Sequence, residues 1–150
     1  MRSRLTPIIA LAALIGATAV APVEQPAWTQ SKGLFCAALD RALTAAREPE
    51  PFASLRIDMV GDAGRSRMDM PGFERCHVWG DELRCTRASA PPELTLEALT
   101  ADTVRCLGMQ PEDMEGFQVF YLTGVMIQIE SECSDECHAG RLVNYRIATN

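Results

Sequence analysis

Six cysteines follow an N-terminal segment with the three parts of a secretory signal peptide, and this combination constrains the fold more than any other feature. Arg2 and Arg4 precede an uncharged run from Leu5 to Val20, and small residues surround the expected cleavage point after Ala19. Export delivers a chain to an oxidising compartment. The cysteines are therefore interpreted as disulfides before they are considered as metal ligands or nucleophiles.

The sequence divides into a signal peptide at 1–19, a flexible leader at 20–30 and a single domain at 31–150. The uncharged run is shorter than the roughly 20 residues that a membrane-spanning helix needs, and no later run approaches that length. We therefore expect a mature form without a membrane span.

The charge and the choice of basic residues limit the partner and the source. The formal net charge is −6, which makes nucleic acid an unfavourable partner. Lys32 is the only lysine in a chain of 14 basic residues, and this arginine bias is typical of a GC-rich bacterial genome. We expect a bacterial protein that is periplasmic or secreted.

The strongest local signal in the sequence predicts a β-hairpin between Cys76 and Cys85. Gly80-Asp81 suits a type II′ two-residue turn, in which glycine occupies the first central position. This turn pairs Trp79 with Glu82 and Cys76 with Cys85, with Val78 facing Leu83 and His77 facing Arg84 between them. Cys76, Val78, Leu83 and Cys85 then share one face, while His77, Trp79, Glu82 and Arg84 share the other. The two cysteines lie close enough for a disulfide.

The remaining pattern predicts two helices and further strands. Apolar residues recur at helical spacing from Ser31, a plausible N-cap, to Ala46, and again from Leu94 to Leu107, where Gly108 ends the helix. Residues 61–72 are predicted to be a loop, and residues 111–115 one further helical turn. The other predicted strands are Phe52–Val60, Phe117–Leu122, Val125–Glu130 and Leu142–Ile147.

This order of elements indicates an α+β fold, in which an antiparallel sheet of about five to six strands carries two main helices on one face. Six cysteines allow 15 connectivities, and spacing alone does not select one. If Cys76 pairs with Cys85, we favour a bond between Cys36 and Cys106, because both lie on apolar helix stripes. Cys133 and Cys137 then close a small ring.

Two resemblances accompany this prediction. The order helix, three strands, helix, further strands resembles the fold of type III secretion chaperones, which implies a similar architecture and carries no functional residues. The motifs Pro71-Gly72-Phe73, Cys76, Cys85 and Cys106-Leu107-Gly108 resemble those of small exported proteobacterial proteins. That second resemblance covers about a third of the chain and implies no activity.

No catalytic or cofactor-binding motif emerges, so we expect a non-enzymatic binding or adaptor domain for a protein or small ligand. Trp79, His77 and Arg84 form its possible partner surface, because exposed aromatics beside arginine are enriched in interface hot spots. The alternative is a copper or zinc carrier, or a small hydrolase, that uses His77 or His138. Candidate zinc ligands are the Cys133-Ser-Asp-Glu-Cys137-His138 segment with Glu130 and Glu132. Candidate copper ligands are the methionines of Met68-Asp69-Met70 with Met109 and Met114.

Overall fold

A computed structural model describes residues 32–133 and 141–150 of the chain, with side chains described for 33–132 and 141–150. The predicted signal peptide, leader and Ser31 cap lie outside the described residues, as do the Cys133–Cys137 disulfide and His138. Within the described part of the chain, no helix combines the length and the apolar character that crossing a membrane requires.

The described residues form an α+β fold, as predicted, but the sheet has eight strands rather than five or six. The helices are α1 (Lys32–Ala46) and α2 (Leu96–Leu107), and a 3₁₀ turn covers Ala53–Leu55. The strands are β1 (Arg56–Val60), β2 (Ala63–Ser66), β3 (Arg75–Trp79), β4 (Glu82–Arg87), β5 (Glu112–Met114), β6 (Phe117–Leu122), β7 (Val125–Cys133) and β8 (Arg141–Thr149).

The sheet is assembled from two antiparallel meanders that are separated by α2 in the sequence. The strand order is β1-β2-β3-β4-β8-β7-β6-β5, and each neighbouring pair is antiparallel. The last strand, β8, lies between the two meanders and pairs with both β4 and β7. It therefore joins the two halves of the sheet into one surface.

Both helices pack on one face of this sheet, and Tyr145 of β8 is the point where they meet it. The Phe35 ring of α1 contacts the Tyr145 ring edge-on, with centroids 5.7 Å apart. The Thr103 hydroxyl of α2 lies 2.9 Å from the Tyr145 hydroxyl. All three residues are fully buried. The other buried sheet residues on this face are Cys76, Val78, Leu83, Cys85, Phe120, Val125, Ile127, Ile129, Val143 and Ile147.

Two disulfides reinforce this packing, with the pairings that the sequence favoured. Cys36 of α1 is bonded to Cys106 of α2, and the Cα atoms are 5.2 Å apart. Cys76 of β3 is bonded to Cys85 of β4 across the hairpin. The first bond fixes the helices to each other, and the second lies against the core beneath the outward side chains of the hairpin.

The β3–β4 hairpin has the predicted register at every position. Trp79 pairs with Glu82, His77 with Arg84 and Cys76 with Cys85. Gly80 has φ of 55°, whereas Asp81 is not among the residues with positive φ. That combination is the one a type II′ turn requires.

The prediction of a loop at 61–72 is wrong in part, because β2 (Ala63–Ser66) lies within it. Ala63 and Gly64 give no apolar alternation, so the strand is invisible as a pattern. Gly64 permits a close approach: a Cβ there would meet the Ile57 carbonyl oxygen at 2.9 Å. β1 is therefore able to pack closely on β2 despite the register shift between Ile57 and Val60.

Two other predicted segments need correction. Residues 111–115 do not form a helical turn, because Glu112–Met114 pairs with β6 as the short edge strand β5. All its residues are exposed, so no buried alternation marked it as a strand. The predicted strand Phe52–Val60 begins only at Arg56, since Phe52 has φ of 59° and a 3₁₀ turn follows.

The second helix begins two residues later than predicted. The Leu94 N–H donates to the Pro91 carbonyl oxygen at 2.9 Å, ahead of the helix. The Thr95 hydroxyl accepts a hydrogen bond of 3.1 Å from the Ala98 N–H. Thr95 is thus the N-cap of α2. Gly108 ends the helix with φ of 69°, as the sequence indicated.

Candidate functional site on the outer sheet face

The sheet face opposite the helices, here called the outer face, carries the predicted partner residues. Its side chains fall into three cross-strand rows because antiparallel partners lie side by side. The central row is Arg65, His77, Arg84, Arg146, Gln128, Val119 and Glu112. The turn row is Ala63, Trp79, Glu82, Ala148, Met126 and Tyr121. The far row is Arg75, Thr86, Asn144, Glu130, Phe117 and Met114.

The three residues predicted from the sequence lie together on this face. Trp79 is 61% exposed at the end of β3. His77 is partly buried one pleat away, and Arg84 is its cross-strand partner. With Thr86 these side chains line a cavity of about 210 Å³. A tryptophan ring, an imidazole and a guanidinium therefore share one concave, solvent-open surface.

Glu82 holds two arginines of this surface in place. Its carboxylate accepts a hydrogen bond of 2.9 Å from Arg84 Nε and forms an ion pair with Arg146, whose Nε lies 2.6 Å from Glu82 Oε2. The Glu82 side chain is only 13% exposed, so solvent screens these bonds less than it screens a fully exposed pair. The Arg146 guanidinium also donates to the Gln128 amide oxygen at 3.4 Å. One carboxylate thus orients two cations beside Trp79.

Arg146 and Tyr121 are parts of this surface that the sequence argument missed. Arg146 belongs to β8, which lies between the two meanders. No local sequence pattern predicts that position. Tyr121 is 49% exposed at the opposite end of the turn row. A usable signal was present, because Tyr121 alternates with the buried Phe120 in β6 and must face away from the core.

A pair of carboxyl groups marks the side of the outer face away from the hairpin. Glu130 is partly buried on β7, and burial raises the pKa of its carboxyl. Glu132, two residues further along the same strand, raises it again through a hydrogen bond and its negative charge. Asn144 partly offsets this effect by hydrogen bonding.

The residues suggested for metal binding are not assembled into a site in the described part of the chain. Met68 and Met70 are 2% and 1% exposed within the hydrophobic core, so their thioethers are packing groups. Residues 33–132 and 141–150 hold no group of three His, Cys, Asp or Glu side chains placed to bind one ion. Cys137 and His138 lie outside the described residues.

Two further cavities lie outside the Trp79 surface, one beside the hairpin and one on the helix side of the sheet. One of about 410 Å³ lies on the strand-start side of the hairpin, and His77 also borders it. Its remaining lining residues are Arg65, Ser66, Asp69, Glu74, Arg75 and Cys76. A groove of about 440 Å³ runs between α2 and β6, on the helix side of the sheet, and is lined by Leu96, Glu97, Thr100, Ala101, Val104, Gln110 and Gln118.

Comparison with known proteins gives no direct assignment. No family model, no curated protein and no solved structure matches the chain. The geometry of the outer face is therefore the basis for assigning a function.

Proposed function

We propose that the chain is an exported, non-enzymatic binding domain that recognises a protein partner through the outer face. The observation that carries this proposal is Trp79, a large aromatic side chain 61% exposed on a sheet face that no helix of the described residues covers. Tryptophan and arginine are the residues most enriched in interface hot spots. Here both occur on one concave surface with His77.

The rigidity of this surface supports the same proposal. His77 and Arg84 lie on the two strands that the Cys76–Cys85 disulfide clamps, and both disulfide sulfurs lie on the buried side. Glu82 then fixes the guanidinium of Arg84. A contact surface that is ordered before binding loses less conformational entropy when a partner arrives. The hairpin is therefore well suited to recognition.

The exported location is part of the proposal. The N-terminal segment has the pattern of a signal peptide, and two disulfides link four of the six cysteines. Disulfides of this structural type persist in oxidising compartments such as the bacterial periplasm. A soluble partner in that compartment, or the exposed part of a membrane protein, is thus the class of binding partner that we expect.

Site-specific photo-cross-linking tests the proposal in the native compartment. A photo-reactive amino acid replaces Trp79 in one variant and Ala101, an exposed residue of α2, in the control. We expect a discrete cross-linked protein band from position 79 that the control lacks. The band should weaken when Arg84→Glu is added, because that change puts two carboxylates side by side with Glu82. Equal labelling from both positions, or none from position 79, would refute the proposal.

A further inference from the structure

Charge is divided across the outer face, and β8 marks the boundary. At outward positions of β2 to β4, Arg65, Arg75 and Arg84 outnumber the single Glu82. Arg65 is also paired with Asp58 of the neighbouring strand β1, so this half carries three arginines and two carboxylates. At outward positions of β5 to β7 the charged side chains are Glu112, Glu130 and Glu132, with no arginine or lysine among them. The face therefore has a cationic half and an anionic half. Such a surface is complementary to itself after half a turn.

The exposed aromatic side chains lie at equal distances on either side of β8. Trp79 lies two strands from β8 in one direction, and Tyr121 lies two strands from it in the other. Both belong to the turn row, with Ala148 of β8 midway between them. Neighbouring strands are about 4.8 Å apart, so each ring lies about 10 Å from the β8 axis. A two-fold axis along β8 would place each Trp79 on the Tyr121 of a second copy.

We infer that the partner of the outer face is a second copy of this chain, docked face to face about a two-fold axis along β8. This inference rests on the proposed function and names its partner. A two-fold axis parallel to β8 keeps the β8 strands of the two copies parallel, so each cross-strand row of one copy faces the same row of the other. A closed two-fold dimer is also the commonest arrangement of identical subunits.

In this arrangement, charged and polar residues of the central row face complementary residues of the other copy. Arg65 and Glu112 both belong to the central row, each three strands from β8 on opposite sides, so each Arg65 meets the Glu112 of the other copy. Arg84 likewise meets Gln128, one strand from the axis on each side. The two Arg146 side chains come together near the axis. The repulsion between them is reduced because each is paired with Glu82, a carboxylate that it shares with Arg84.

The far row adds complementary pairs. Thr86 meets Glu130, giving a hydroxyl donor to a carboxylate, since both lie one strand from β8. Arg75 meets Phe117, each two strands from β8, and a guanidinium on an aromatic face is a favourable contact. Apart from the two Arg146 side chains at the axis, none of these row pairs brings equal charges together.

The size of the face indicates a dimer of moderate affinity. The seven strands β2 to β8 span about 29 Å, and six residues along a strand span about 20 Å, so the flat area is about 600 Å² per copy. Specific interfaces bury about 800 Å² per partner, and smaller ones are weak or transient. We therefore expect a dimer that forms at micromolar concentrations. An acidic peptide would use the cationic half alone and leave Tyr121 and the glutamates unpaired.

Sedimentation equilibrium of the mature, oxidised chain over 1 to 500 µM tests this inference. We expect a monomer–dimer equilibrium that Arg65→Glu weakens at least tenfold, because the two-fold axis makes each substitution act twice. Glu112→Arg should weaken the dimer similarly. The double variant Arg65→Glu/Glu112→Arg should dimerise more tightly than either single variant, since the pair between the copies is then reversed but intact, although the new glutamate at position 65 also faces Asp58 of its own chain. Arg41→Glu, an exposed change of equal charge on α1, is the control and should leave dimerisation unchanged.

Circular dichroism is the control for loss of fold: each oxidised variant should have the spectrum of the original protein. A monomer at every concentration, or a double variant as weak as the single ones, overturns the inference. Cross-linking from position 79 to a different protein under the same conditions would leave the proposed binding function standing and replace the second copy by a foreign partner. Cross-linking to nothing would remove both.

Discussion

The hydrogen bond between Thr103 and Tyr145 is the best place to test how the helices are held on the sheet. The Thr103 hydroxyl donates to the Leu99 carbonyl oxygen at 2.8 Å, so its proton is already used. The Tyr145 hydroxyl must then donate to Thr103 Oγ1 across 2.9 Å. Both side chains are fully buried, and each replacement therefore leaves a definable group without its partner.

The two single replacements should differ in cost. Tyr145→Phe removes the donor and leaves Thr103 bonded to Leu99, so we expect a loss of about 1 kcal/mol in the free energy of unfolding. Thr103→Val keeps the shape and strands the phenol hydroxyl in the core, which should cost about 2 to 3 kcal/mol. In the double variant no polar group is stranded. Its cost should fall to about 1 to 1.5 kcal/mol, well below the sum of the single variants.

Urea unfolding followed by circular dichroism, with the disulfides intact, gives the four free energies of this double-mutant cycle. The expected coupling between the two positions is about 2 kcal/mol. A native-state spectrum unchanged in all variants is the control for an intact fold. Additive losses, or a Tyr145→Phe variant more damaged than Thr103→Val, would show that the assigned donor direction and its burial do not govern this contact.

Three further outcomes follow from the structure. Burial raises the pKa of Tyr145 above its ordinary value of 10.0, so this tyrosine ionises at a lower pH in the unfolded chain than in the folded one. The free energy of unfolding should therefore fall as the pH rises above 10 in the wild type, and it should fall less in Tyr145→Phe. Carboxyl NMR titration should show that Glu132→Gln lowers the pKa of Glu130. Because the raised pKa means that the fold disfavours ionised Glu130, Glu130→Gln should be more favourable to the free energy of unfolding at pH 7 than at pH 3. In the loop-closure account, replacing both Cys36 and Cys106 by serine should cost about 4.4 kcal/mol. Replacing Cys133 and Cys137, whose disulfide is predicted from the sequence alone, should cost about 2 kcal/mol, and equal shifts in melting temperature would contradict this account.

The parts of the fold that the sequence predicts are those with local chemistry. The hairpin register follows from Gly80 and the alternation around Cys76 and Cys85, and both helices follow from apolar periodicity. Strands β2 and β5 were missed because neither shows a buried alternation. β2 contains Gly64, and β5 is a fully exposed edge that exists only through its pairing with β6.

The candidate site divides in the same way. Trp79, His77 and Arg84 belong to one hairpin, so a local register suffices to place them on one face. Arg146 and Tyr121 join them through β8, which inserts between meanders far apart in the sequence. Loop-closure entropy and core packing decide that insertion, and neither leaves a local sequence signal. The charge division of the outer face is visible only once β8 is in place.

Hydroxyl-radical footprinting of Trp79 and Tyr121 as a function of protein concentration tests most directly whether the outer face is a contact surface. Leu34, which is 66% exposed on α1, is the internal reference for accessibility on the helix side of the molecule. We predict that labelling of Trp79 and Tyr121 falls together as the concentration rises from 1 to 500 µM while labelling of Leu34 stays constant. Unchanged labelling of both rings at every concentration would contradict self-association through this face, and protection of Leu34 instead would place the contact on the helices.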